Sequence, residues 1–161
     1  MLKPAIMYKE ELLKLFAEQV YTEDFFLYVG YPYCNELPNI ELNDNVFQWA
    51  ILFNDKVIGY FAYRVNPYED SVSHFGLYSF DKGNPVVGKS VFDKLEELVV
   101  RYHRLEWRMI GGNPVERSYD KFCERHKGVK HLFKDVVKDA EGNYRNEIVY
   151  EIVKEGECVN E

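Results

Sequence analysis

The sequence predicts an α+β domain, with a mixed, mostly antiparallel central sheet flanked by helices. Three observations point there. Apolar residues in 8–29 recur at helical spacing, whereas 46–80 holds β-branched and aromatic runs broken by turn residues. A strand–loop–helix crossover then sits mid-chain, which an all-antiparallel protein does not need. The chain ends in a hairpin pattern rather than a further β-α unit. At 161 residues and 47% hydrophobic it is long enough for one domain with one real core, 1–161, of which 155–161 reads as a frayed tail.

Leu12, Leu13, Phe16 and Val20 form an apolar helical stripe, and Thr22 before Glu23 and Asp24 reads as a new helix start. Gly30, Pro32, Pro38 and several Asn make 30–45 a loop. Residues 46–53 and 57–65 around "NDK" form a hairpin, Asn66-Pro67 ends it, and 71–80 is a third strand. A helix is expected from about Lys89, since Val91, Phe92, Leu95, Leu98, Val99 and Tyr102 share a face. Residues 105–111 form the next strand. Asn113-Pro114 starts a helix that Gly128 ends, and "HLFKDVVKD" pairs with "YRNEIVYEIV" around "AEGN".

The bulk properties exclude several functions. A net charge of −7 argues against a nucleic-acid binder that relies on a basic footprint. The start "MLKPAIMYKEELL" shows no signal-peptide pattern, and no apolar window is long enough to span a membrane. Cys34, Cys123 and Cys158 are odd in number and widely spaced, so neither a zinc site nor a disulfide framework is expected. No metal is implied, and reduced thiols fit a cytoplasmic protein.

Residues 83–90, "GNPVVGKS", fit the written pattern G-x-x-x-x-G-K-S of a nucleotide-binding P-loop through Gly83, Gly88, Lys89 and Ser90. The surroundings oppose that reading. Hairpins precede the loop, the next strand ends "RMIGGN" without a magnesium-binding carboxylate, and Pro85 removes a backbone donor. What survives is a turn running into an amphipathic helix, where N–H groups and the helix dipole suit an anion.

Over roughly 46–153 the pattern resembles the GNAT superfamily of acyl-CoA-dependent N-acetyltransferases. In that family a loop of consensus R/Q-x-x-G-x-G/A binds the pyrophosphate of coenzyme A. Here "GNPVVGKS" takes its place: Gly88 matches the second glycine, followed by Lys89 and Ser90, while Gly83 stands at the Arg/Gln position and Val86 at the first glycine. Asn113, Tyr119 and Gly128 in "GGNPVERSYDKFCERHKG" match the family's Asn, its helix-borne Tyr and a helix-ending Gly. The resemblance implies acetyl-CoA as acyl donor and a primary amine as acceptor, joined by direct attack in a ternary complex. It also implies cofactor contacts from Leu77 and Tyr78 to the pantetheine arm, from Gly83, Asn84, Val86, Val87, Gly88, Lys89 and Ser90 to the pyrophosphate, and from Asn113.

Such chemistry needs a neutral amine, a polarised thioester carbonyl and a proton for the departing thiolate. By the resemblance, Tyr119 is the proton donor; ordinary helix packing beside Val115 and Phe122 is the alternative. His74, three residues before Leu77, is a candidate base, directly or through water; a lone strand histidine is more often a surface residue. Lys82 and Lys89 flank the loop and could meet phosphates, or stay solvated. Neither Cys34 nor Cys123 has a placed His partner, so no nucleophilic cysteine is implied. Two rival functions stay open: a non-catalytic acyl-CoA-binding or interaction module on the same fold, and nucleotide binding. No nucleic-acid or membrane partner is expected, and room is left for a homodimer.

Overall fold

The computed structural model describes residues 1–32 and 34–155. Residues 156–161 of the expected tail, including Cys158, lie outside the described residues. A short strand β1 (Leu2–Pro4) and a 3-10 turn lead into α1 (Lys9–Ala17) and α2 (Glu23–Val29). Thr22 starts α2 as its sequence suggests: its hydroxyl accepts the Phe25 N–H at 3.2 Å, and Gly30, in the left-handed region at φ 90°, ends the helix. The antiparallel strands β2 (Val46–Phe53), β3 (Lys56–Asn66) and β4 (Ser71–Ser79) follow. Helix α3 (Pro85–Arg101) crosses over to β5 (Arg104–Ile110), and α4 (Glu116–Arg125), β6 (Val129–Lys138) and β7 (Tyr144–Val153) complete the chain.

The strands form one sheet in the order β1-β2-β3-β4-β5-β7-β6, antiparallel except for β4 beside β5. Each face carries a core. One holds Leu12, Phe16, Phe25, Tyr60 and Tyr78 under α1 and α2; the other holds Phe61, Val91, Leu95, Trp107, Phe122 and Tyr150 under α3 and α4. Among the described residues no helix is long and apolar enough to cross a membrane.

Three helix boundaries differ from the sequence expectation, the simplest being α4, which begins at Glu116 rather than at Asn113-Pro114. Helix α3 starts at Pro85, four residues before Lys89. The Asn84 side chain accepts the Val86 N–H at 3.0 Å, and proline at the first helical position loses no needed donor. Gly128 does follow α4, but the left-handed residue there is Lys127, at φ 54°. Glycine is required at 128 for space: a Cβ would lie 2.6 Å from both the Cys123 sulfur and the Glu151 carbonyl oxygen.

The feature that positions a site is the parting of β4 from β5. They pair only at Ser71↔Arg104 and Val72↔Leu105, then separate. Strand β4 carries a bulge between its pairings with Ala62 and Arg64, with His74 in the left-handed region at φ 54°. The extra residue bends the strand and keeps Val72, Phe75 and Leu77 all on the α3 side of the sheet.

Candidate active site

Beyond the last β4–β5 pair lies a cavity of about 360 Å³, lined by β4 from Phe75 to Ser79, the start of α3, the C-terminal half of β5, Asn113–Val115, Tyr119 and one face of α2. Its floor is unpaired backbone. The Phe80 N–H donates to the Ile58 carbonyl at 2.9 Å. In an antiparallel ladder alternate residues turn their N–H and C=O the same way. Gly76 and Tyr78 therefore face β3, and Leu77 and Ser79 turn their N–H and C=O toward the gap. Of the two residues expected to offer backbone here, Leu77 does so; Tyr78 instead contributes a side chain whose hydroxyl donates to Gln19 Oε1 at 2.9 Å. Burial pushes that hydroxyl up to about 12.

Tyr119 enters from α4. Its ring is buried among Phe92, Trp107 and Tyr150, and its hydroxyl makes no hydrogen bond to a described residue. Burial raises it well above the ordinary phenol range, so it stays protonated at neutral pH. Tyr28 enters from α2 on the opposite face of the sheet. Asp24, Leu27 and Tyr28, at i, i+3 and i+4, turn one stripe of that helix into the cavity.

At the start of α3 the donors are largely committed. Pro85 has none, the Val86 N–H goes to Asn84 Oδ1, and the Val87 N–H goes to the Asn84 carbonyl at 3.2 Å. Asn84 is itself held by Asp81 Oδ2 at 2.7 Å. Above Gly83 and Gly88 nothing stands within 4 Å of where a Cβ would be, so there is room for a bulky anion. Two cations stand nearby: Lys82 is paired with Asp24, and Lys89 with Asp93 at 2.6 Å. Exposed pairs of this kind contribute about 0–1 kcal/mol, so both ammonium groups are easily redirected to a ligand.

A chain with one parallel strand pair that parts around a cavity, followed by a crossover helix, has counterparts of known structure. No family model matches the sequence, and no curated protein matches it either. A ribosomal-protein-alanine N-acetyltransferase from Brucella melitensis superposes with a TM-score of 0.64 over 95% of this chain and 99% of its own, at 13% identity. An N-acetyltransferase from Staphylococcus aureus Mu50 gives 0.62 over 95% and 97%, at 14% identity. An acetyltransferase assigned to the GNAT family from Chromobacterium violaceum gives 0.62 over 94% and 86%, at 15% identity. The chain has the GNAT acetyltransferase fold. It spans 59% and 62% of two further solved structures assigned as acetyltransferases, over about 70% of its own length. That fold accounts for the α+β class and for the sheet order, and its one parallel pair is the opposite of the all-parallel setting a P-loop occupies.

On this GNAT fold the expected site residues divide. Leu77, Tyr78, Gly83, Asn84, Val87, Gly88, Asn113 and Tyr119 line the cavity, although Asn113 also uses its Oδ1 to accept the Val115 N–H at 3.1 Å. Val86, Lys89 and Ser90 do not line it: within α3 it is Val87 and Gly88 that take the cavity face. His74 does not line it either. The bulge leaves its ring exposed, with Nδ1 2.8 Å from Ser73 Oγ. Residues missed in the sequence include Tyr28, Gly76, Arg108 and Met109. The spacing of Asp24 and Tyr28 on α2 was a usable signal; the approach of Arg108 and Met109 depends on where β5 parts from β4.

Proposed function

We propose that this protein transfers an acetyl group from acetyl-CoA to a primary amine by direct attack in a ternary complex. The observation that carries this reading is the parted β4–β5 pair: unpaired backbone at Leu77 and Ser79 faces a cavity that a protonated, unpartnered Tyr119 hydroxyl also enters. An extended amide-bearing arm can add to such an edge as a further strand would. Acetyl-CoA would bring that arm and an acyl thioester.

The protein's part follows from its geometry. The Leu77 N–H is a fixed dipole for the carbonyl oxygen as charge develops there. The amine nitrogen bonds to the carbonyl carbon, the C–S bond breaks, and Tyr119 supplies the proton that leaves coenzyme A as a thiol. The proton shed by the amine departs through water. Asp24 is the carboxylate lining the cavity, and His74, outside the lining, could act as base only across intervening water. Gly83, Gly88, Lys82 and Lys89 would receive the pyrophosphate, with the Val86 N–H released by Asn84 if the cap opens. A cytoplasmic setting is consistent with this donor.

The capped α3 start favours a second reading, a module that binds acyl-CoA without turning it over. Thermal stabilisation and calorimetry with acetyl-CoA, CoA and Mg-ATP, followed by thiol release across an amine panel, separate the readings. Stabilisation by acetyl-CoA with thiol release is the expected outcome. Binding with no release from any amine would make the chain a binding module, and stabilisation by ATP alone would sink both acyl-CoA readings.

A further inference from the structure

We infer that Tyr28 is a second hydrogen-bond donor to the acyl carbonyl oxygen, acting with the Leu77 N–H from the opposite side of the cavity to Tyr119. This rests on the acetyl-CoA reading above.

Tyr28 belongs to a cluster of aromatic side chains with Phe16, Phe25 and Tyr78, at ring-centroid distances of 5.8, 6.1 and 5.4 Å. Two other tyrosines of that core, Tyr60 and Tyr78, place their hydroxyls on protein groups. Tyr78 donates to Gln19, and the Tyr60 oxygen accepts from Gln48 Nε2 at 2.8 Å. The Tyr28 hydroxyl meets no hydrogen-bonding group among the described residues and opens on the cavity. Phenylalanine would fill the same apolar space, as Phe25 and Phe26 do on the same helix. The fully buried unsatisfied side-chain atoms among the described residues are the indole nitrogens of Trp49 and Trp107; the Tyr28 hydroxyl is open to the cavity and so is free to meet a ligand atom.

Its position names that atom. A methyl group built on Gly76 would stand 3.1 Å from the Tyr28 hydroxyl, so this oxygen rests against β4 backbone one residue before the Leu77 N–H. Two donors at neighbouring residues of a parted strand suit an oxygen with two lone pairs that gains negative charge in the reaction. Burial holds the Tyr28 phenol above its ordinary range, which makes it a donor rather than an anion at neutral pH. The absence of a Cβ at residue 76 is what lets the hydroxyl come so close.

The test needs no knowledge of the acceptor. CoA lacks the acyl carbonyl and acetyl-CoA has it, so calorimetric Kd values for both are compared in the wild-type protein and in Tyr28→Phe. Infrared spectra of the bound thioester, labelled with 13C at the carbonyl, are recorded in parallel. Loss of the donor should weaken acetyl-CoA by roughly three- to tenfold, the scale of one uncharged hydrogen bond. CoA binding should stay unchanged, and the carbonyl stretch should move to higher frequency. Gly76→Ala, which pushes the hydroxyl away while keeping it, should give the same loss of discrimination. An unchanged ratio of the two Kd values with an unmoved carbonyl band in Tyr28→Phe overturns this inference and leaves the acetyl-CoA reading standing. Failure of the wild-type protein to bind either thiol compound overturns that reading and this inference with it.

Discussion

Replacing Tyr119 with Phe separates chemistry from packing, because only the chemical role needs the hydroxyl. The ring is buried against Phe92, Trp107 and Tyr150, and Phe keeps all of those contacts. The hydroxyl has no hydrogen-bond partner among the described residues. Removing it breaks no hydrogen bond between described residues, and the oxygen is not one of their fully buried unsatisfied side-chain atoms, which are the indole nitrogens of Trp49 and Trp107. For a domain this size 1 kcal/mol is about 2–4 °C in Tm. The Tm should therefore stay within about 4 °C of the wild type. Turnover should fall, since a positioned acid is worth about 10²–10⁴-fold, or ~3–5 kcal/mol at 1.36 kcal/mol per decade. The assay pairs differential scanning fluorimetry with thiol release from acetyl-CoA in the presence of the amine that supports turnover, and calorimetry checks that CoA still binds. A variant with undiminished turnover, or one whose Tm drops by more than about 4 °C, would refute the reasoning and return Tyr119 to the core.

Other substitutions probe the frame around the cavity. Gly128→Ala drives a Cβ to 2.6 Å from the Cys123 sulfur and the backbone of β7; an overpacking cost of about 1–3 kcal/mol should appear as a lowered urea midpoint at constant m-value. Asn84→Ala removes the α3 cap and should cost about 1 kcal/mol, read as a Tm loss of about 2–4 °C. Because the freed Val86 N–H is then available to a phosphate, added CoA should raise the variant's Tm by more than the wild type's; an equal rise would show that the ligand does not use this helix start. Asp139, 4% exposed, faces a burial cost that raises its pKa, but the Asn143 N–H and Arg145 outweigh it and hold the carboxyl below its ordinary range. Its contribution is full above the unfolded value of about 3.9 and is lost as the pH falls through the lower folded value. The Tm gap between wild type and Asp139→Asn should accordingly be wide at pH 7 and close toward pH 3.

Much of the fold is legible in local pattern. Strand β2 and strand β7 fall where alternation and turn residues put them, and Thr22 and Gly30 bound α2 by capping chemistry that acts within a few residues. The start of α3 is less legible, because the apolar stripe becomes dense only at Val91, whereas the helix is set by Asn84 and Pro85 before it. Val86 to Gly88 therefore lie in the helix rather than in the loop before it, while Lys89 and Ser90 fall where the sequence already places the helix start. His74 shows a different limit. The sequence leaves it a candidate base or a surface residue, and the bulge, with His74 in the left-handed region, leaves its ring exposed.

The sequence alone determined most of the elements and their order and argued against a P-loop setting, since each rests on periodicity, capping or residue chemistry over short spans, while the candidacy of Tyr119 came from the family resemblance. Tertiary structure decided where β4 leaves β5, and with that which groups meet. Tyr28 and Tyr119 are 91 positions apart in the chain, yet they enter one cavity from opposite faces of the sheet. No local pattern encodes that meeting, because it follows from a strand that bulges at His74 and a helix packed over Gly76, where a missing Cβ admits a phenol.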